Sequence, residues 1–256
     1  MKELLKKILR RTAHGLGYEV VRLQDTVLDA SAEDRAIATE AAPCTVTSAH
    51  AVHTLIDAVQ YVVDRNVPGA IVECGVGRGG SIMAAALKLQ ALGDRNRDIY
   101  LFDTFTGMSE PGAEDLSYRG ESASEQYRQQ KREDGVTDWC HGPLDEVKAN
   151  VTRTGYPIDQ IHFVEGKVED TIPGQSPDQI AILRLDTDWY QSTRHELVHL
   201  YPLLAPGGVL IIDDYGYWQG ARKAVDEYVE ENDLKLMLYK IDHSSRIAIK
   251  VQMAGD

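Results

Sequence analysis

Acidic residues stand where four short apolar runs of the chain end, and carboxylates in such positions can bind a nucleotide, a metal ion or a proton. These acids are Glu73, Asp103, Asp186 with Asp188, and Asp213 with Asp214. If the runs are neighbouring parallel strands, their carboxyl ends share one crevice, which is where ligands bind in open α/β sheets. A single acid there is more often a solvated turn residue or a helix cap, but several at one edge predict a common site.

A glycine-rich loop, Glu73 to Gly80, follows the first of these runs and leads into a predicted helix. Glycines let the backbone approach a ligand closely, and a helix N-terminus favours anionic groups. Gly75, Gly77 and Gly80 fit the dinucleotide pattern G-x-G-x-x-G. Glu73, just before the first glycine, fits the acid-x-Gly-x-Gly loop of S-adenosylmethionine (SAM) enzymes equally well. The loop alone therefore predicts NAD, SAM, or a strand–helix turn without any ligand.

The remaining acids favour SAM over NAD. Asp103 can accept hydrogen bonds from the ribose hydroxyls of either cofactor. The carboxylates of Asp186, Asp213 and Asp214 form a hard-oxygen site of the kind that binds Mg²⁺. A transferase that deprotonates a hydroxyl group uses such a cation to lower the pKa of the hydroxyl oxygen, and Asp188 then takes the proton. A nicotinamide dehydrogenase has no obvious use for this cluster beside its cofactor.

Alternating strands and helices must position these residues. Five buried strands are predicted at 70–74, 98–103, 161–164, 180–186 and 209–214, and a closing hairpin at 234–239 and 246–251. Helices are predicted at 48–65, 81–92, 144–154, 190–204 and 219–231. Strand–helix–strand units with short connections form right-handed parallel crossovers. The pattern predicts an α/β fold with a mostly parallel seven-stranded sheet, helices on both faces and an antiparallel C-terminal hairpin.

Two stretches fall outside this alternation. Residues 1–46 are predicted to form a helical N-terminal arm or cap that can act as a lid, and residues 47–256 to form the cofactor-binding domain. Residues 109–142 form a polar insertion too long for a simple connection, and such insertions are commonly lids or binding loops. The basic amphipathic start, residues 1–11, fits a helix on a membrane surface or a helix that packs on its own protein or a partner subunit. We favour packing, because one short helix is a weak membrane anchor.

Composition narrows the class of protein. The chain has 256 residues, of which 43% are hydrophobic and 26% charged, as in a soluble globular domain. A net charge of −13 disfavours nucleic acid as a partner. Three widely spaced cysteines without a C-x-x-C motif favour a reducing compartment. We expect a cytoplasmic homo-oligomer that acts on a small molecule, with neither nucleic acid nor a membrane as partner.

Five aromatic residues flank the strand-end acids. They are Trp189, Tyr190, Tyr215, Tyr217 and Trp218. They suit an apolar floor for a sugar ring or for the aglycone attached to it. Packing of helices against the sheet explains them equally well.

Four segments together resemble one enzyme family. They are residues 71–80 (IVECGVGRGG), 101–108 (LFDTFTGM), 183–190 (LRLDTDWY) and 207–216 (GGVLIIDDYG). From Thr45 to Glu231 the sequence resembles the macrocin O-methyltransferases, which are SAM- and Mg²⁺-dependent sugar O-methyltransferases of macrolide and aminocoumarin biosynthesis. The segment before Thr45 does not match, and family members use that region as a lid over the acceptor.

The resemblance implies a Rossmann-like class I SAM methyltransferase fold. It also implies metal-assisted SN2 transfer of a methyl group to a sugar hydroxyl of a glycosylated natural product or saccharide, with S-adenosylhomocysteine as product. Asp186, Asp213 and Asp214 would bind Mg²⁺, and Asp188 would be the general base. The residues expected to hold SAM are Glu73, Gly75, Val76, Gly77, Gly79, Gly80, Ser81, Asp103 and Thr104.

One departure and two alternatives accompany this prediction. Gly77 stands where the family usually has tryptophan, which opens one wall of the cofactor pocket. A catechol or phenol is the alternative acceptor. An NAD(P)-dependent oxidoreductase that uses the same glycine loop is the alternative class of enzyme.

Overall fold

The predicted site requires that several strand ends meet at one edge, and a seven-stranded sheet brings them there. The computed structural model describes residues 9, 11–17 and 27–251. Most of the helix predicted over residues 1–11 therefore lies outside the described residues, although residues 11–15 are helical.

Five parallel strands and an antiparallel pair form the sheet. Strands β1 to β7 span Ala70–Cys74, Ile99–Asp103, Ile161–Glu165, Ile180–Leu185, Leu204–Ile212, Tyr239–Lys240 and Arg246–Ile249. Their spatial order is β3-β2-β1-β4-β5-β7-β6. β1 pairs in parallel with both β2 and β4, so the strand order reverses between β1 and β4. β7 is antiparallel to β5 and β6, which confirms the predicted sheet.

Helices cover both faces of the sheet. Helices α1 to α8 span Ala32–Ala41, Ala49–Asp64, Gly80–Ala91, Ala123–Gln130, Leu144–Thr152, Val168–Thr171, Tyr190–Leu200 and Gln219–Glu231. α2 begins where its cap predicts, because the Ser48 side chain accepts a hydrogen bond from the Ala51 amide. The helix predicted over 190–204 ends sooner, in a 3₁₀ turn at Tyr201–Leu203 that contains Pro202. Within the described ranges, no helix is long and apolar enough to cross a lipid bilayer.

The two central strands are buried along their whole length. Every residue of β1 and β4 is buried, which explains their nearly continuous apolar sequence. Side chains alternate between two core clusters, with Ile71 and Ile182 in one, and Val72 and Leu183 in the other. Because these strands run in parallel, their carboxyl ends lie at the same edge of the sheet.

The closing hairpin is shorter than the one predicted over 234–239 and 246–251. Pairing is limited to Tyr239–Lys240 against Arg246–Ile249. Three alternating leucines of the first predicted strand pack against the core, namely Leu234, Leu236 and Leu238. A short edge strand leaves few backbone groups free to pair with another chain.

The insertion 109–142 contains α4 and is seated on the starts of α7 and α8. Trp139 packs against Trp189 and Trp218, with ring centroids 5.5 and 6.0 Å apart. The buried Asp115 carboxylate accepts a hydrogen bond from the amide of Tyr190 at 2.8 Å. A role of the insertion as a lid, like that of residues 1–46, stays a prediction.

Candidate functional site

A cavity of about 460 Å³ lies outside the carboxyl ends of the five parallel strands, β1 to β5. Three other parts of the chain close it, namely residues 43–48 before α2, residues 140–141 after the insertion and residues 242–245 between β6 and β7. Its volume is typical of small-molecule sites. It lies where the strand order reverses, which is the expected place for a ligand in an open α/β sheet.

The glycine loop forms one wall of this cavity. Gly75 has a φ of +81°, and a Cβ there would lie 1.9 Å from the carbonyl oxygen of Asp186. Only glycine therefore lets the loop after β1 pass the loop after β4. At Gly77 no atom lies within 4 Å of the position that a Cβ would occupy. The wall is thus open at the position where the resembling family usually has tryptophan.

Asp103 holds the glycine loop in this conformation. Its Oδ2 accepts hydrogen bonds from the amides of Val76 at 2.6 Å and Gly77 at 3.2 Å, and its Oδ1 accepts one from Phe105 at 2.7 Å. Burial raises the pKa of Asp103, while the backbone donors oppose that shift. The carboxylate lines the cavity, and its contact with ribose hydroxyls stays a prediction.

Two thirds of the residues predicted to hold the cofactor line the cavity, namely Gly75, Val76, Gly77, Ser81, Asp103 and Thr104. The other three lie behind its wall. Glu73 is buried and paired with Arg184. Gly79 faces the side chain of Val147, and Gly80 faces the backbone of Cys44. Glu73, Gly79 and Gly80 thus support the wall of the cavity, and their direct contact with SAM stays a prediction.

Arg184, which the sequence analysis did not single out, connects the acids at the strand ends. Its side chain is 3% exposed and donates a hydrogen bond to Glu73 Oε1. It also donates to Asp186 Oδ2 at 2.6 Å, to Asp213 Oδ1 at 2.9 Å and to Thr47 Oγ1 at 3.1 Å. A guanidinium is rarely buried without paired carboxylates. The arginine inside the apolar run 180–185 could therefore have indicated a buried ion pair.

The structure brings three of the predicted acids close together, whereas the fourth, Asp213, lines the cavity with one oxygen bonded to other residues. Asp186, Asp188 and Asp214 each present a ligand atom, and these atoms lie within 4.8 Å of one another. Asp213 Oδ1 instead accepts hydrogen bonds from Arg184 and from the Ser245 hydroxyl at 3.1 Å. The close group thus contains Asp188 and not Asp213, and the predicted metal ligands Asp186, Asp213 and Asp214 stay a prediction.

A turn brings Asp188 into the cluster. The residue has a φ of +68°, a left-handed conformation that aspartate tolerates better than most residues. Its Oδ2 accepts a hydrogen bond from Trp218 Nε1 at 2.9 Å. Burial, together with the nearby Asp186 carboxylate, raises the pKa of Asp188 to about 8.

The chemistry of the cluster fits a divalent cation. Burial raises the pKa values of Asp186 and Asp214, and the neighbouring carboxylates add to the shift. Oδ2 of Asp214 is buried without a hydrogen-bond partner among the described residues. An unpartnered carboxylate oxygen beside two further carboxylates is a suitable ligand set for a hard cation such as Mg²⁺.

None of the five flanking aromatic residues lines the cavity, all of them being described. Trp189 and Trp218 are buried in a small cluster with Ala123 and Ala221. Tyr215 belongs to a separate surface groove. Packing is therefore the better explanation of these residues than a floor for the sugar ring.

Several lining residues were not predicted. Thr47, Ser48, Lys167, Glu169 and His141 belong to this set. Lys167 and Glu169 follow the carboxyl end of β3, so their place at the ligand-binding edge of the sheet was predictable. Thr47, Ser48 and His141 come from segments that only the folded chain brings to the cavity.

Comparison with known proteins shows the family. The family profile described as Macrocin-O-methyltransferase (TylF) matches residues 3–248. This range is longer than the predicted resemblance from Thr45 to Glu231. The segment before Thr45 therefore belongs to the family match, contrary to the prediction.

Individual relatives agree with the profile. The 8-demethyl-8-(2,3-dimethoxy-alpha-L-rhamnosyl)-tetracenomycin-C 4'-O-methyltransferase of Streptomyces olivaceus is 38% identical over 185 residues, which are 69% of this chain and 67% of the relative. Mycinamicin III 3''-O-methyltransferase of Micromonospora griseorubida is 34% identical over 184 residues, 72% of this chain and 67% of the relative.

A solved structure agrees as well. The O-methyltransferase NovP superimposes with a TM-score of 0.71 at 29% identity, over 82% of this chain and 83% of that chain. The predicted Rossmann-like class I methyltransferase fold is thereby confirmed, and the oxidoreductase alternative is wrong. The chain belongs to the macrocin O-methyltransferase (TylF) family and is a SAM-dependent O-methyltransferase.

Proposed function

We propose that the enzyme methylates a sugar hydroxyl of a glycosylated natural product or saccharide, with Mg²⁺ bound beside the acceptor. The observation that carries this proposal is the position of the carboxylate cluster, which shares one cavity with the glycine loop. The names of the relatives support the acceptor class, since they specify a rhamnosyl tetracenomycin and mycinamicin III.

The glycine loop would hold the methyl donor. SAM supplies an electrophilic methyl group when it is bound. Asp103 keeps the amides of Val76 and Gly77 in a fixed arrangement, and the start of α3 follows directly. Ser81 and Thr104 offer hydroxyl groups at the same wall.

The acid cluster would hold the cation and the acceptor. Mg²⁺ would lower the pKa of a coordinated hydroxyl. Asp186 and Asp214 belong both to the predicted set of metal ligands and to the group of close carboxylates. We propose Asp213 as the third ligand through Oδ2, since its Oδ1 is engaged with Arg184. In that arrangement Asp188 does not bind the cation and can accept a proton.

Asp188 is the proposed general base. Its carboxylate removes the hydroxyl proton while the oxygen forms its bond to the methyl carbon and the carbon–sulfur bond breaks, which leaves S-adenosylhomocysteine. Burial and the neighbouring Asp186 carboxylate raise the pKa of Asp188, and a raised pKa favours acceptance of the proton.

A panel of acceptors tests the function. TDP-rhamnose, mycinamicin III, demethyldecarbamoylnovobiocin and catechol are each incubated with SAM, and release of S-adenosylhomocysteine is measured. We expect turnover of at least one sugar-bearing acceptor, loss of that turnover with EDTA and its return with Mg²⁺. Turnover of catechol alone would contradict the acceptor class. Turnover that EDTA leaves unchanged would contradict the role of the metal.

Two variants distinguish the base from the third ligand. We expect Asp188→Asn to lower kcat by about a hundredfold or more while Mn²⁺ affinity in calorimetry stays close to wild type. We expect Asp213→Asn to weaken Mn²⁺ binding. The reverse pattern would make Asp188 a ligand and would contradict its assignment as the base.

Subunit state and compartment complete the proposal. We expect a cytoplasmic homo-oligomer. The exposed apolar side chains of Met237, Tyr239 and Ile249 at the edge of the sheet support an association between chains. Sedimentation equilibrium of the full chain tests this expectation, and a single species of 28.4 kDa would contradict it.

A further inference from the structure

Trp218 lies between the proposed base and the insertion 109–142. Its side chain is 5% exposed and packs edge-on against Trp189, with ring centroids 5.1 Å apart. A buried indole N–H needs a hydrogen-bond acceptor. The acceptor is Oδ2 of Asp188 at 2.9 Å, so the ring is joined directly to the carboxylate that is proposed to take the acceptor proton.

The insertion fixes Trp218 from the opposite side. Ser117 of the insertion forms an isolated antiparallel bridge with Trp218. The next residue, Gln219, donates from its backbone amide to Leu116 at 2.8 Å and from its side chain to the carbonyl of Ser117 at 2.8 Å. Backbone pairing and ring packing together leave the indole little freedom to move.

The acid cluster fixes the backbone of the same residue. The amide of Trp218 donates to the carbonyl oxygen of Asp214 at 3.0 Å. Trp218 thus bridges the loop that ends β5 and the turn that carries Asp188. Its position depends both on the cluster and on the seat of the insertion.

The Asp188 carboxylate needs such a partner. The residue is in a left-handed turn after β4, with a φ of +68°, and repulsion from Asp186 and Asp214 opposes any close arrangement of the three side chains. A donor to one oxygen holds the plane of the carboxylate. It leaves the other oxygen available to an acceptor hydroxyl.

We propose that Trp218 is a positioning residue, which holds Oδ2 of Asp188 so that Oδ1 receives the proton of the acceptor. The insertion acts on the reaction through this contact, because it holds the indole in place. This inference rests on the proposed role of Asp188 as the base. NMR tests the hydrogen bond between Trp218 and Asp188, and the kinetics of Asp188→Asn test the base separately.

The contact is tested without any acceptor. The chain has three tryptophans, so a ¹H–¹⁵N spectrum of the full protein contains three indole signals. Trp218→Phe removes and thereby identifies one of them. We expect Asp188→Ala to shift that signal more than those of Trp139 and Trp189, since it removes a charged acceptor. A Trp218 signal that moves no more than the other two would overturn the proposal.

The effect of the contact on the reaction is tested by kinetics with the acceptor of the panel that the enzyme methylates. Trp218→Phe keeps an aromatic ring but removes the donor. We expect kcat to fall between about ten- and a hundredfold, with the KM for SAM within about twofold of wild type. Trp189→Phe is the matched control, because its indole donates to the Ser109 carbonyl and not to an acid. We expect it to leave kcat within about twofold of wild type.

The outcomes separate the two claims. If Asp188→Asn abolishes turnover while Trp218→Phe and Trp189→Phe behave alike, the positioning role is wrong and the proposed function stands. If Asp188→Asn leaves turnover unchanged, the base assignment and the positioning role both fail. An unchanged far-UV circular dichroism spectrum of Trp218→Phe, with unchanged affinity for S-adenosylhomocysteine, would show that this variant is folded.

Discussion

Arg184 determines how charge is distributed among the acids at the strand ends. Its guanidinium engages Glu73, one oxygen of Asp186 and one oxygen of Asp213. The negative charge of those carboxylates is balanced in part by the guanidinium. Asp188 and Asp214 receive no such contact from Arg184, and the cluster they form with Asp186 stays available to a cation. One buried arginine thus balances part of the negative charge at the strand ends and leaves Asp188, Asp214 and the other oxygens of Asp186 and Asp213 outside its hydrogen bonds.

Loss of this guanidinium leaves buried carboxylates without a counter-charge. We expect Arg184→Met to lower the free energy of unfolding by about 3–5 kcal/mol, as when one partner of a buried ion pair is removed. Arg132→Met is the control, since Arg132 pairs with Asp134 at the surface with both side chains about half exposed, and we expect a loss of at most about 1 kcal/mol. Urea unfolding measures both. Equal losses would show that the Arg184 pairs contribute no more than a surface pair.

Glu196 is another buried acid, and it does not line the cavity. It is 0% exposed, its Oε1 accepts a hydrogen bond from the Thr187 hydroxyl, and its Oε2 has no partner among the described residues. Burial raises the pKa of Glu196 well above the ordinary value of 4.5. The folded state therefore keeps this proton over a pH range in which the unfolded chain has lost it.

The sign of the pH dependence follows from this difference. Above the ordinary pKa the folded state binds more protons than the unfolded state, so this group lowers stability as pH rises, until its folded pKa is reached. We expect Glu196→Gln, which cannot ionise, to gain stability relative to wild type between about pH 5.5 and about pH 8.5. Urea unfolding at both pH values measures the gain. A stability difference that is the same at both would contradict the raised pKa.

At the scale of elements, the end of the insertion is packed against the glycine loop. A Cβ at Gly142 would lie 1.9 Å from the carbonyl oxygen of Gly77. Asn150 of α5 donates a hydrogen bond to the carbonyl of Arg78 at 3.0 Å. The segment that leads from the insertion into α5 thus supports the loop from outside the cavity.

A methyl group at Gly142 should disturb this support. We expect Gly142→Ala to weaken binding of S-adenosylhomocysteine about tenfold or more, which corresponds to about 1.4 kcal/mol. Gly174→Ala is the matched control, because its Cβ would meet only the Thr171 carbonyl at 3.6 Å, an ordinary contact. Titration calorimetry measures both. Equal affinities in the two variants would show that the loop does not depend on its packing against Gly142.

Elements with a strong local pattern could be predicted from the sequence. The strand Ala70–Cys74 was predicted with its observed bounds, because a buried parallel strand is apolar throughout and Pro68 with Gly69 precedes it. The hairpin was predicted too long, because alternating leucines look alike whether they pair in a strand or pack as a loop. The largest departures are at β5, which begins at Leu204, five residues before its predicted start at 209, and at β6, which is limited to Tyr239–Lys240.

The site was predictable in place but not in detail. Parallel topology brings acids at strand ends together, so the edge could be identified from Asp103, Asp186 and Asp214. The orientation of the acidic side chains could not be predicted. It depends on the left-handed turn at Asp188 and on the guanidinium of Arg184, which donates a hydrogen bond to Asp213. The first is a local backbone conformation and the second a contact between residues 29 positions apart, and neither follows from the spacing of the strands.

At the scale of the molecule, the segment before α2 is joined to the body of the sheet domain. Ile37, Ala41 and Cys44 belong to the main core cluster. Lys88 of α3 forms an ion pair with Asp34 of α1 at 2.8 Å, with side chains 6% and 15% exposed. Ser48 donates a hydrogen bond to Asp242 in the turn between β6 and β7. These contacts hold residues 43–48 at the cavity wall.

The pair between α1 and α3 should therefore affect both stability and ligand binding. Asp34→Asn removes the hydrogen-bonded carboxylate partner of the nearly buried Lys88 ammonium group, with the exposed Asp57 as a remaining nearby acid. We expect it to lower the free energy of unfolding by roughly 2–3 kcal/mol, somewhat less than for a fully buried pair because Asp34 keeps some contact with water. Because α1 leads into the cavity wall, we also expect weaker binding of S-adenosylhomocysteine.

Two further variants decide whether the ion pair is the cause. Adding Lys88→Met to Asp34→Asn removes the unpaired charge, so we expect the double variant to recover much of the lost stability. Glu33→Gln changes an exposed acid in the same helical turn and should stay within about 0.5 kcal/mol of wild type. Urea unfolding and calorimetry are carried out on all of them. If Asp34→Asn loses stability but binds S-adenosylhomocysteine as wild type does, residues 43–48 do not depend on α1, and the N-terminal segment and the cavity are energetically independent.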